Sequence, residues 1–255
     1  MRQSIEGRSI LLTGGGSGIG EGTARYLVQR GARVTITGRR ADRVSALAAS
    51  LGPHCHWVSG DVCIPKDREK MLAEAMRHGG GALHGLINNA GITHHSGLAG
   101  IDAQALQQVL DTNVSAPLLL TQLAVPALEK SQGCVIFIGS VHVRLALPGR
   151  LAYAASKGAI VNASRVLAAE LGPRKIRVNC VVPGAVATEI NAAASGQNLQ
   201  ESNAFFQKLA PLHPLGRIGE PDDIAEGIEY LLLADWTTGA VLDVDGGMGL
   251  GATKL

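Results

Sequence analysis

Stretches dominated by Val, Ile and Leu recur along the chain, and longer segments with helical spacing of apolar residues lie between them. The apolar stretches are continuous rather than alternating with polar residues, which is typical of strands that helices cover on both faces. This pattern predicts strands at Ser9–Gly14, Arg33–Gly38, His56–Asp61, Gly85–Ala90, Gly133–Ser140, Arg177–Val182 and Ala240–Val244.

Helices are predicted between these strands. Asp102 can cap a helix in front of an apolar repeat, and Pro221 suits a first helical position. The predicted helices are Gly18–Arg30, Ala41–Leu51, Pro65–His78, Asp102–Leu128, Leu151–Leu171 and Pro221–Ala234. This alternation predicts an α/β fold of the Rossmann type, a doubly wound, seven-stranded parallel sheet flanked by helices in a single domain over residues 1–255. The least regular stretch, at about 187–220, is expected to form a substrate loop or lid.

Composition narrows the class of protein. The chain has 255 residues, of which 46% are hydrophobic and 17% are charged, and this suits an ordered domain with a substantial core. The formal net charge is only +2 and no long basic run occurs, so no nucleic-acid partner is expected. Four cysteines without a C-x-x-C pair favour free thiols in a reducing compartment. The sequence has neither the apolar core of a signal peptide nor a membrane-spanning run, which needs about 18 apolar residues, so we expect a soluble cytoplasmic protein.

A glycine-rich segment joins the first predicted strand to the first predicted helix. It reads T-G-G-G-S-G-I-G from Thr13 to Gly20, and its glycines at 14, 18 and 20 give G-x-x-x-G-x-G rather than G-x-G-x-x-G. Glycines there permit a tight turn and let a pyrophosphate approach the N–H groups of a helix terminus. Such a segment can also be a simple flexible turn, but its position between strand and helix favours a dinucleotide site.

Tyr153 and Lys157 are four residues apart in a predicted helix, so their side chains share one face. A tyrosine with a pKa near ~10 is a poor base at neutral pH, and a nearby cation lowers that pKa by favouring the phenolate. The pair is therefore suited to proton transfer. Alternatively, it is an ordinary pair on a helix surface.

Several motifs, taken in their order along the chain, resemble those of the short-chain dehydrogenase/reductase family. They are T-G-x-x-x-G-I-G from Thr13, N-N-A-G from Asn88 to Gly91, T-N-V around Asn113, Ser140 at the end of the fifth strand, Y-x-x-x-K from Tyr153 to Lys157, P-G-x-x-x-T from Pro183 to Thr188 and L-D-V-D-G-G from Leu242 to Gly247. The resemblance extends from about Gly7 to Met248. An ordered set of this kind is far more specific than any one motif.

The resemblance implies roles for four catalytic residues. Tyr153 is expected to act as general acid in reduction and as general base in oxidation. Lys157 is expected to hold ribose hydroxyls and to tune Tyr153, while Ser140 hydrogen-bonds the substrate oxygen on which charge develops. Asn113 is expected to anchor a water that links Lys157 to solvent. No catalytic metal is expected.

The resemblance also implies a nicotinamide cofactor, and the end of the second strand bears on its identity. NAD-binding members usually carry an acid where this chain has Gly38, and here Arg39 and Arg40 follow. Guanidinium groups can pair with a ribose phosphate that an acid would repel, so NADP(H) is favoured. Ser17, where many NADP users carry a basic residue, argues the other way and leaves NAD possible. The cofactor-binding residues implied are Gly14, Ser17, Gly18, Ile19, Gly20, Arg39, Arg40, Asp61, Val62, Asn89, Ala90, Gly91, Tyr153, Lys157, Pro183, Gly184, Val186 and Thr188.

Histidines occur in two clusters that look like metal ligands, at His54–His56 and at His94-His95. No partner cluster has suitable spacing, so no metal site is expected. His94, His95 and His142 are instead candidates to border the substrate cleft, because their neighbours in sequence belong to the expected site.

Three functions remain open at this point. The favoured one is an NAD(P)-dependent oxidoreductase that moves a hydride between the nicotinamide cofactor and a secondary alcohol or ketone. The alternatives are a reductase of 3-oxoacyl thioesters on an acidic acyl carrier protein and a non-catalytic dinucleotide-binding protein. The substrate cannot be read from the fold class. A homotetramer is expected, partly from the resemblance and partly from an apolar surface on Leu151–Leu171 and the central helix.

Overall fold

The central element of the molecule is a parallel sheet, seen in a computed structural model that describes residues 4–186, 188 and 206–251. Its seven strands lie in the order β3-β2-β1-β4-β5-β6-β7, and every neighbouring pair is parallel. The strands are β1 (Ser9–Thr13), β2 (Arg33–Gly38), β3 (Cys55–Ser59), β4 (Gly85–Asn88), β5 (Cys134–Ile138), β6 (Arg177–Pro183) and β7 (Val241–Val244). The predicted doubly wound sheet is confirmed.

Helices cover both faces of this sheet. They are α1 (Gly18–Gln29), α2 (Ala41–Leu51), α3 (Pro65–His78), α4 (Ala103–Leu110), α5 (Ala116–Ser131), α6 (Leu151–Leu171) and α7 (Pro221–Leu233). Buried residues of α1, α2 and α7 form one hydrophobic cluster with one face of the strands, and those of α3, α5 and α6 form a second cluster with the other face. Within β1, Ile10 and Leu12 belong to the first cluster and Leu11 to the second. Both faces of the strands are therefore buried, which explains their continuous apolar sequences.

The strand order reverses direction at β1, which pairs with β2 on one side and with β4 on the other. After β1 the chain continues into α1 on one face, and after β4 it continues toward α4 and α5, of which α5 covers the opposite face. The connections therefore separate beyond the carboxyl ends of these two strands. Open α/β sheets bind ligands in the crevice that forms at such a point.

The predicted helix Asp102–Leu128 is wrong as a single α-helix. Asp102 does cap α4, because its carboxylate accepts a hydrogen bond from the Ala105 N–H at 2.7 Å. A π-helical turn, Asp111–Ser115, then separates α4 from α5. Pro117 provides a physical reason, since it lacks the N–H that would bond to the carbonyl of Asn113, four residues earlier, in a continuous α-helix.

Four predicted strands end earlier than expected: β1 ends at Thr13 rather than Gly14, β3 ends at Ser59 rather than Asp61, and β4 and β5 each end two residues early. β4 ends at Asn88 rather than Ala90, because the N–H groups of Asn89 and Ala90 both donate to the side-chain hydroxyl of Thr13, at 3.1 Å and 3.0 Å, and continue no main-chain ladder with a neighbouring strand. β5 ends at Ile138 rather than Ser140, and Ser140 becomes the N-cap of a short 3₁₀ turn. In both places the residues leave the sheet at its functional edge.

Part of the predicted lid at about 187–220 falls on residues 187 and 189–205, which lie outside the described residues. In the described part, Phe206 and Ile218 pack with Val141 and Met248 in a small third hydrophobic cluster. No helix within the described residues combines the length and the apolar character that crossing a membrane would require.

We predict that Gly22→Ala destabilises the fold. An added Cβ would lie 2.2 Å from the Cβ of Pro221, so α1 and α7 would have to separate. Overpacking costs about 1–3 kcal/mol in the free energy of unfolding. Urea unfolding at one fixed protein concentration measures the change.

Gly158→Ala is the matched control for this experiment. Gly158 also lies inside a helix, α6, but an added Cβ would meet nothing within 4 Å. Its substitution is expected to be neutral or to add up to ~1 kcal/mol through helix propensity. Equal unfolding midpoints for Gly22→Ala and the unmodified chain would contradict the predicted clash.

Candidate active site and cofactor crevice

The glycine-rich segment turns tightly between β1 and α1. Gly14 and Gly18 have φ values of 66° and 56°, in the left-handed region where a side chain is strained. A Cβ on Gly20 would lie 2.1 Å from the carbonyl oxygen of Gly14, so only glycine allows this approach. Ser17 is the N-cap of α1, but its side chain makes no cap hydrogen bond to the helix. The N–H groups of the first turn are thus left without a side-chain cap, and the bare backbone fits a pyrophosphate.

A set of hydrogen bonds holds the glycine-rich turn against the end of β4. The Asn89 side-chain amide donates to the carbonyl oxygens of Thr13 at 2.9 Å and Gly14 at 3.1 Å. In return, the Thr13 hydroxyl accepts from the N–H groups of Asn89 and Ala90. The implied cofactor residues of the two segments are therefore in direct contact.

The residues implied for the adenosine end surround the end of β2. The Arg40 guanidinium donates to the Ser17 hydroxyl at 3.1 Å, and Arg39 beside it is exposed. The Asp61 carboxylate accepts a hydrogen bond from the Cys63 N–H at 2.9 Å, while Val62 lines a small cleft with Ala90 and other residues. Arg40 thus contacts the glycine-rich turn, and Arg39 precedes it in the chain as an exposed residue.

The residues that follow β6 approach the same turn from the other side. The Gly184 N–H donates to the carbonyl of Val244 at 3.1 Å, and a Cβ on Gly184 would lie 2.7 Å from the Cα of Asp245. A Cβ on Gly18 would lie 3.0 Å from the Cβ of Thr188, so these two residues are close neighbours. Val186 is buried, and Ile19 packs partly buried against the first cluster. These two side chains therefore belong to the hydrophobic core on the α1 face of the sheet.

Tyr153 lies in the first turn of α6 and is hydrogen-bonded to Ser140. The Ser140 Oγ is also 3.0 Å from Nδ1 of His142, and the His142 ring stands edge-on to the Tyr153 ring with 5.4 Å between centroids. Burial raises the pKa of Tyr153 above its usual 10.0, while the hydrogen bond to Ser140 and the positive charge of Arg150 act in the opposite direction. At neutral pH the phenol of the ligand-free protein is therefore protonated.

Lys157 is buried one helical turn after Tyr153. Its Nζ donates to the carbonyl oxygen of Ile138 at 2.7 Å and lies 5.6 Å from the centroid of the Tyr153 ring. Burial lowers the pKa of Lys157 to about 8. The expected effect of Lys157 on the pKa of Tyr153 stays a prediction, since Arg150 is the cation that opposes the rise in this structure.

Asn113 is only 2% exposed and fastens the π-helical turn to the loop after β4. Its side-chain amide donates to the carbonyl of Ile92 and accepts from the Ile92 N–H, both at 2.9 Å, and it also donates to the Ser156 hydroxyl at 3.0 Å. A Cβ on Gly91 would lie 3.6 Å from Lys157 Nζ and 3.3 Å from Asn113 Oδ1. Asn113, Gly91 and Lys157 therefore converge on one place.

Sequence reasoning missed Arg150. This half-buried residue is the N-cap of α6, and its guanidinium contacts the His95 imidazole. The only signal in the sequence is its position three residues before Tyr153, which places both at the start of one helix. Of the histidines expected at the cleft, His95 contacts Arg150 and His142 contacts Ser140. His94 lies half-buried next to His95 in the chain.

The other histidine segment has an ordinary structural role. His56 pairs with the Glu74 carboxylate at 2.9 Å. In residues 4–186, 188 and 206–251, no group of three or more His, Cys, Asp or Glu side chains is placed to hold a metal ion.

Comparisons with known proteins agree with this geometry. A family model described as "Enoyl-(Acyl carrier protein) reductase" matches residues 14–249. A 2-(S)-hydroxypropyl-CoM dehydrogenase from Xanthobacter autotrophicus is 35% identical over 258 residues, which cover 97% of this chain and 99% of that protein.

Solved structures show the same likeness. A 3-ketoacyl-(acyl-carrier-protein) reductase from Brucella melitensis, complexed with NADH, matches with a TM-score of 0.87 and 30% identity over 96% of this chain and all of that one. A protein described as a short chain dehydrogenase/reductase family member has a TM-score of 0.84 and 32% identity over 96% of this chain and 99% of its own. The ordered motifs, the crevice and these full-length matches lead to one conclusion: this chain belongs to the short-chain dehydrogenase/reductase family.

Proposed function

We propose that this protein is an NADP(H)-favouring oxidoreductase that interconverts a secondary alcohol and a ketone. The observation that carries the proposal is the meeting of the Tyr153 phenol, the Ser140 hydroxyl and the buried Lys157 ammonium beside a glycine-rich crevice that fits a dinucleotide. A bound nicotinamide would supply or accept the hydride. The protein's own side chains then have to transfer one proton and stabilise the negative charge that develops on the substrate oxygen.

Tyr153 and Ser140 are proposed to act on that oxygen. Because burial keeps the phenol protonated, Tyr153 can donate its proton to the oxygen during reduction. The Ser140 hydroxyl can donate a hydrogen bond to the same oxygen as negative charge develops. Burial, together with the charge of Arg150, lowers the pKa of His142 to about 4, so its ring is neutral at pH 7. If His142 Nδ1–H donates to Ser140 Oγ, the serine hydrogen is left for the substrate.

Lys157 and Asn113 are proposed to pass a proton from solvent back to Tyr153 after it has donated its own. With a pKa of about 8, Lys157 can both carry and release a proton near neutral pH. The Asn113 side chain is engaged with Ile92 and Ser156, so we assign the water-binding role to its main-chain carbonyl. That carbonyl is the one to which Pro117 cannot donate, and a water is a suitable partner for it.

The arginines after β2 are proposed to select NADP(H). Arg40 already reaches the glycine-rich turn through Ser17, and Arg39 is exposed beside it. A ribose phosphate there would meet two guanidinium groups and no acid at Gly38. Lys157 is also proposed to bind the cofactor. One of its three ammonium N–H groups donates to the Ile138 carbonyl, and the other two can donate to ribose hydroxyls.

The first prediction of the proposed function is that Tyr153→Phe abolishes turnover while the cofactor still binds. The ring is kept and only the proton donor is lost, and general acid–base groups contribute ~10²–10⁴-fold to rate. Assays of ketone reduction by reduced-cofactor absorbance, over a panel of ketones and secondary alcohols, measure the loss. Cofactor titration measures binding separately.

Tyr230→Phe serves as the matched control, because Tyr230 lies in α7 and is 57% exposed. It should retain full activity. If Tyr153→Phe kept more than about a tenth of the unmodified rate, Tyr153 would not be the proton donor.

The second prediction concerns the cofactor. Arg39→Ala should weaken NADP(H) binding by about ten- to a hundredfold, the usual value of a charge-assisted contact, and should leave NAD(H) nearly unaffected. Gly38→Asp should shift the preference toward NAD(H), because the new acid repels the phosphate and accepts from the ribose. The ratio of kcat/KM for the two cofactors is the measurement.

Arg165→Ala, an exposed arginine in α6, is the control for the arginine change. The Gly38→Asp variant needs a stability check, because its Cβ would lie 3.1 Å from Val44 Cγ1. A preference of the unmodified protein for NAD(H) would contradict the proposed role of Arg39 and Arg40.

The third prediction is a homotetramer. Exposed apolar side chains occur on α5 at Leu119 and Leu123 and on α6 at Leu151 and Val166, as expected for an interface. Light scattering at micromolar concentration should give a mass near four times the 26.4 kDa of the chain. A monomer would contradict the proposal.

A carrier-protein thioester remains the second candidate substrate, because the Brucella melitensis structure is a 3-ketoacyl-(acyl-carrier-protein) reductase. Docking an acidic carrier protein would need a basic surface. Arg174, a basic residue that follows α6, is ion-paired with Glu129 at 2.6 Å. A small-molecule substrate is therefore favoured, and a pull-down with carrier protein distinguishes the two.

We place the protein in the cytoplasm. Cys55, Cys134 and Cys180 are buried free thiols, and Cys63 is an exposed one. Free thiols are typical of a reducing compartment.

A further inference from the structure

Two long stretches of sequence that contribute to the walls of the crevice around Tyr153 contain no carboxylate. No Asp or Glu occurs in residues 75–101, which include β4 and the loop after it, or in residues 130–169, which include β5 and most of α6. Of the cations in the second stretch, Arg144 is ion-paired with Asp243 at 3.3 Å and Arg165 is exposed on α6. The two that lie near Tyr153 are Arg150 and Lys157. A cleft lined by one sign of charge attracts ligands of the opposite sign.

Arg150 brings one of these positive charges to the reacting groups. Its guanidinium contacts His95, its backbone forms a parallel bridge with Ser96, and it lies three residues before Tyr153 at the start of α6. Its charge adds to burial in lowering the pKa of His142, and it opposes the rise that burial causes in the pKa of Tyr153. Arginine stays charged even when partly buried, so this position keeps a cation at every accessible pH.

Polar atoms without partners lie on the same two walls. The Thr93 hydroxyl, the Ser96 hydroxyl and Nε2 of His142 are buried, and none has a hydrogen-bond partner among the described residues. Buried polar atoms are normally paired, so such a group next to a proposed active site indicates hydrogen bonds that a ligand completes. The two hydroxyl groups can donate to an oxyanion, which needs several donors at once, whereas Nε2 of a neutral His142 that carries its proton on Nδ1 can only accept.

We propose that the ketone or alcohol taken by this site carries an oxyanion, such as a carboxylate, which pairs with Arg150 and accepts hydrogen bonds from Thr93 and Ser96. The substrate is thus an oxo acid or hydroxy acid rather than a neutral ketone. This inference rests on the proposed function, since it names the substrate class of the same site. Arg150 is a specificity-determining residue in this scheme, and Tyr153 and Ser140 keep their roles at the reacting oxygen.

The test compares oxo acids with their methyl esters, which keep the ketone and remove the charge. The probes are 2-oxobutanoate, 3-oxobutanoate and 4-oxopentanoate, which place the carboxylate at increasing distance from the carbonyl, each with its ester. The unmodified protein should favour at least one acid over its ester by about tenfold or more in kcat/KM. Arg150→Met should lower kcat/KM for that acid by about ten- to a hundredfold more than for the ester, the usual value of a charge-assisted contact.

Two further variants separate charge recognition from a structural role. Arg165→Met removes an exposed arginine from the same helix and should leave the acid-to-ester ratio unchanged. Arg150→Lys should restore part of the ratio, mainly through KM, because it returns the charge without the planar fork. Equal losses for acid and ester in Arg150→Met would mean that Arg150 only supports the loop at His95, and the inference would be wrong.

Direct binding keeps this inference separate from the proposed function. Calorimetry with the same acids, on the protein saturated with cofactor, should show binding that Arg150→Met loses. If no ketone or alcohol were turned over but this binding pattern were found, the proposed function and the substrate class would fail, and only oxyanion binding at Arg150 would stand. Turnover of esters with no preference for any acid, or no binding of the acids, would overturn the inference alone.

Discussion

The hydrogen bonds between Thr13 and Asn89 are the constraint on which the rest of the site depends. They tie the carboxyl end of β1 to that of β4, where the two connections leave in opposite directions and a crevice opens. The glycine-rich turn can bend back on itself only because Gly20 has no side chain, and Asn89 then fastens it at Gly14. Without this tie the backbone N–H groups of the turn and the residues after β4 would have no fixed relation to each other.

Buried charge sets the chemistry on the other side of the crevice. The ammonium of Lys157 is buried with a main-chain carbonyl, that of Ile138, as an acceptor, and its pKa falls because water no longer stabilises the charged form. Tyr153 responds to burial in the opposite sense, since its charged form is the anion. The two pKa values therefore move apart, so the phenol of Tyr153 keeps its proton at a pH where Lys157 begins to release its own. A cofactor and substrate that bring negative charge would relieve the cost of these cations.

Features that depend on neighbouring residues in the chain could be predicted from the sequence, whereas contacts between residues far apart in the chain could not. The pairing of Tyr153 with Lys157 follows from a spacing of four in one helix, and the strand pattern follows from burial on both faces, so both could be predicted. Asn113 was identified by resemblance, but its attachment to Ile92, 21 residues away, was not visible. The contact of Arg150 with His95 spans 55 residues and has no pattern in the sequence. The end of β4 was predicted too long because the N–H groups of Asn89 and Ala90 donate to the Thr13 hydroxyl, a contact that has no pattern in the sequence.

The π-helical turn between α4 and α5 has a consequence for how the chain tolerates changes in length. Each residue of an α-helix is rotated by about 100° from the one before it. A turn that contains one extra residue therefore changes the direction in which every later side chain of the helix points. A chain one residue shorter between Leu110 and Ala116 would lose the residue that widens the turn and would approach α-helical geometry, apart from the hydrogen bond that Pro117 cannot make. The amide of Asn113 would then rotate away from Ile92, while Leu120 and Leu128, now buried against the sheet, would turn toward the side of the helix. An insertion or deletion here therefore acts on the whole helix, whereas one in a surface loop would act only on its neighbours.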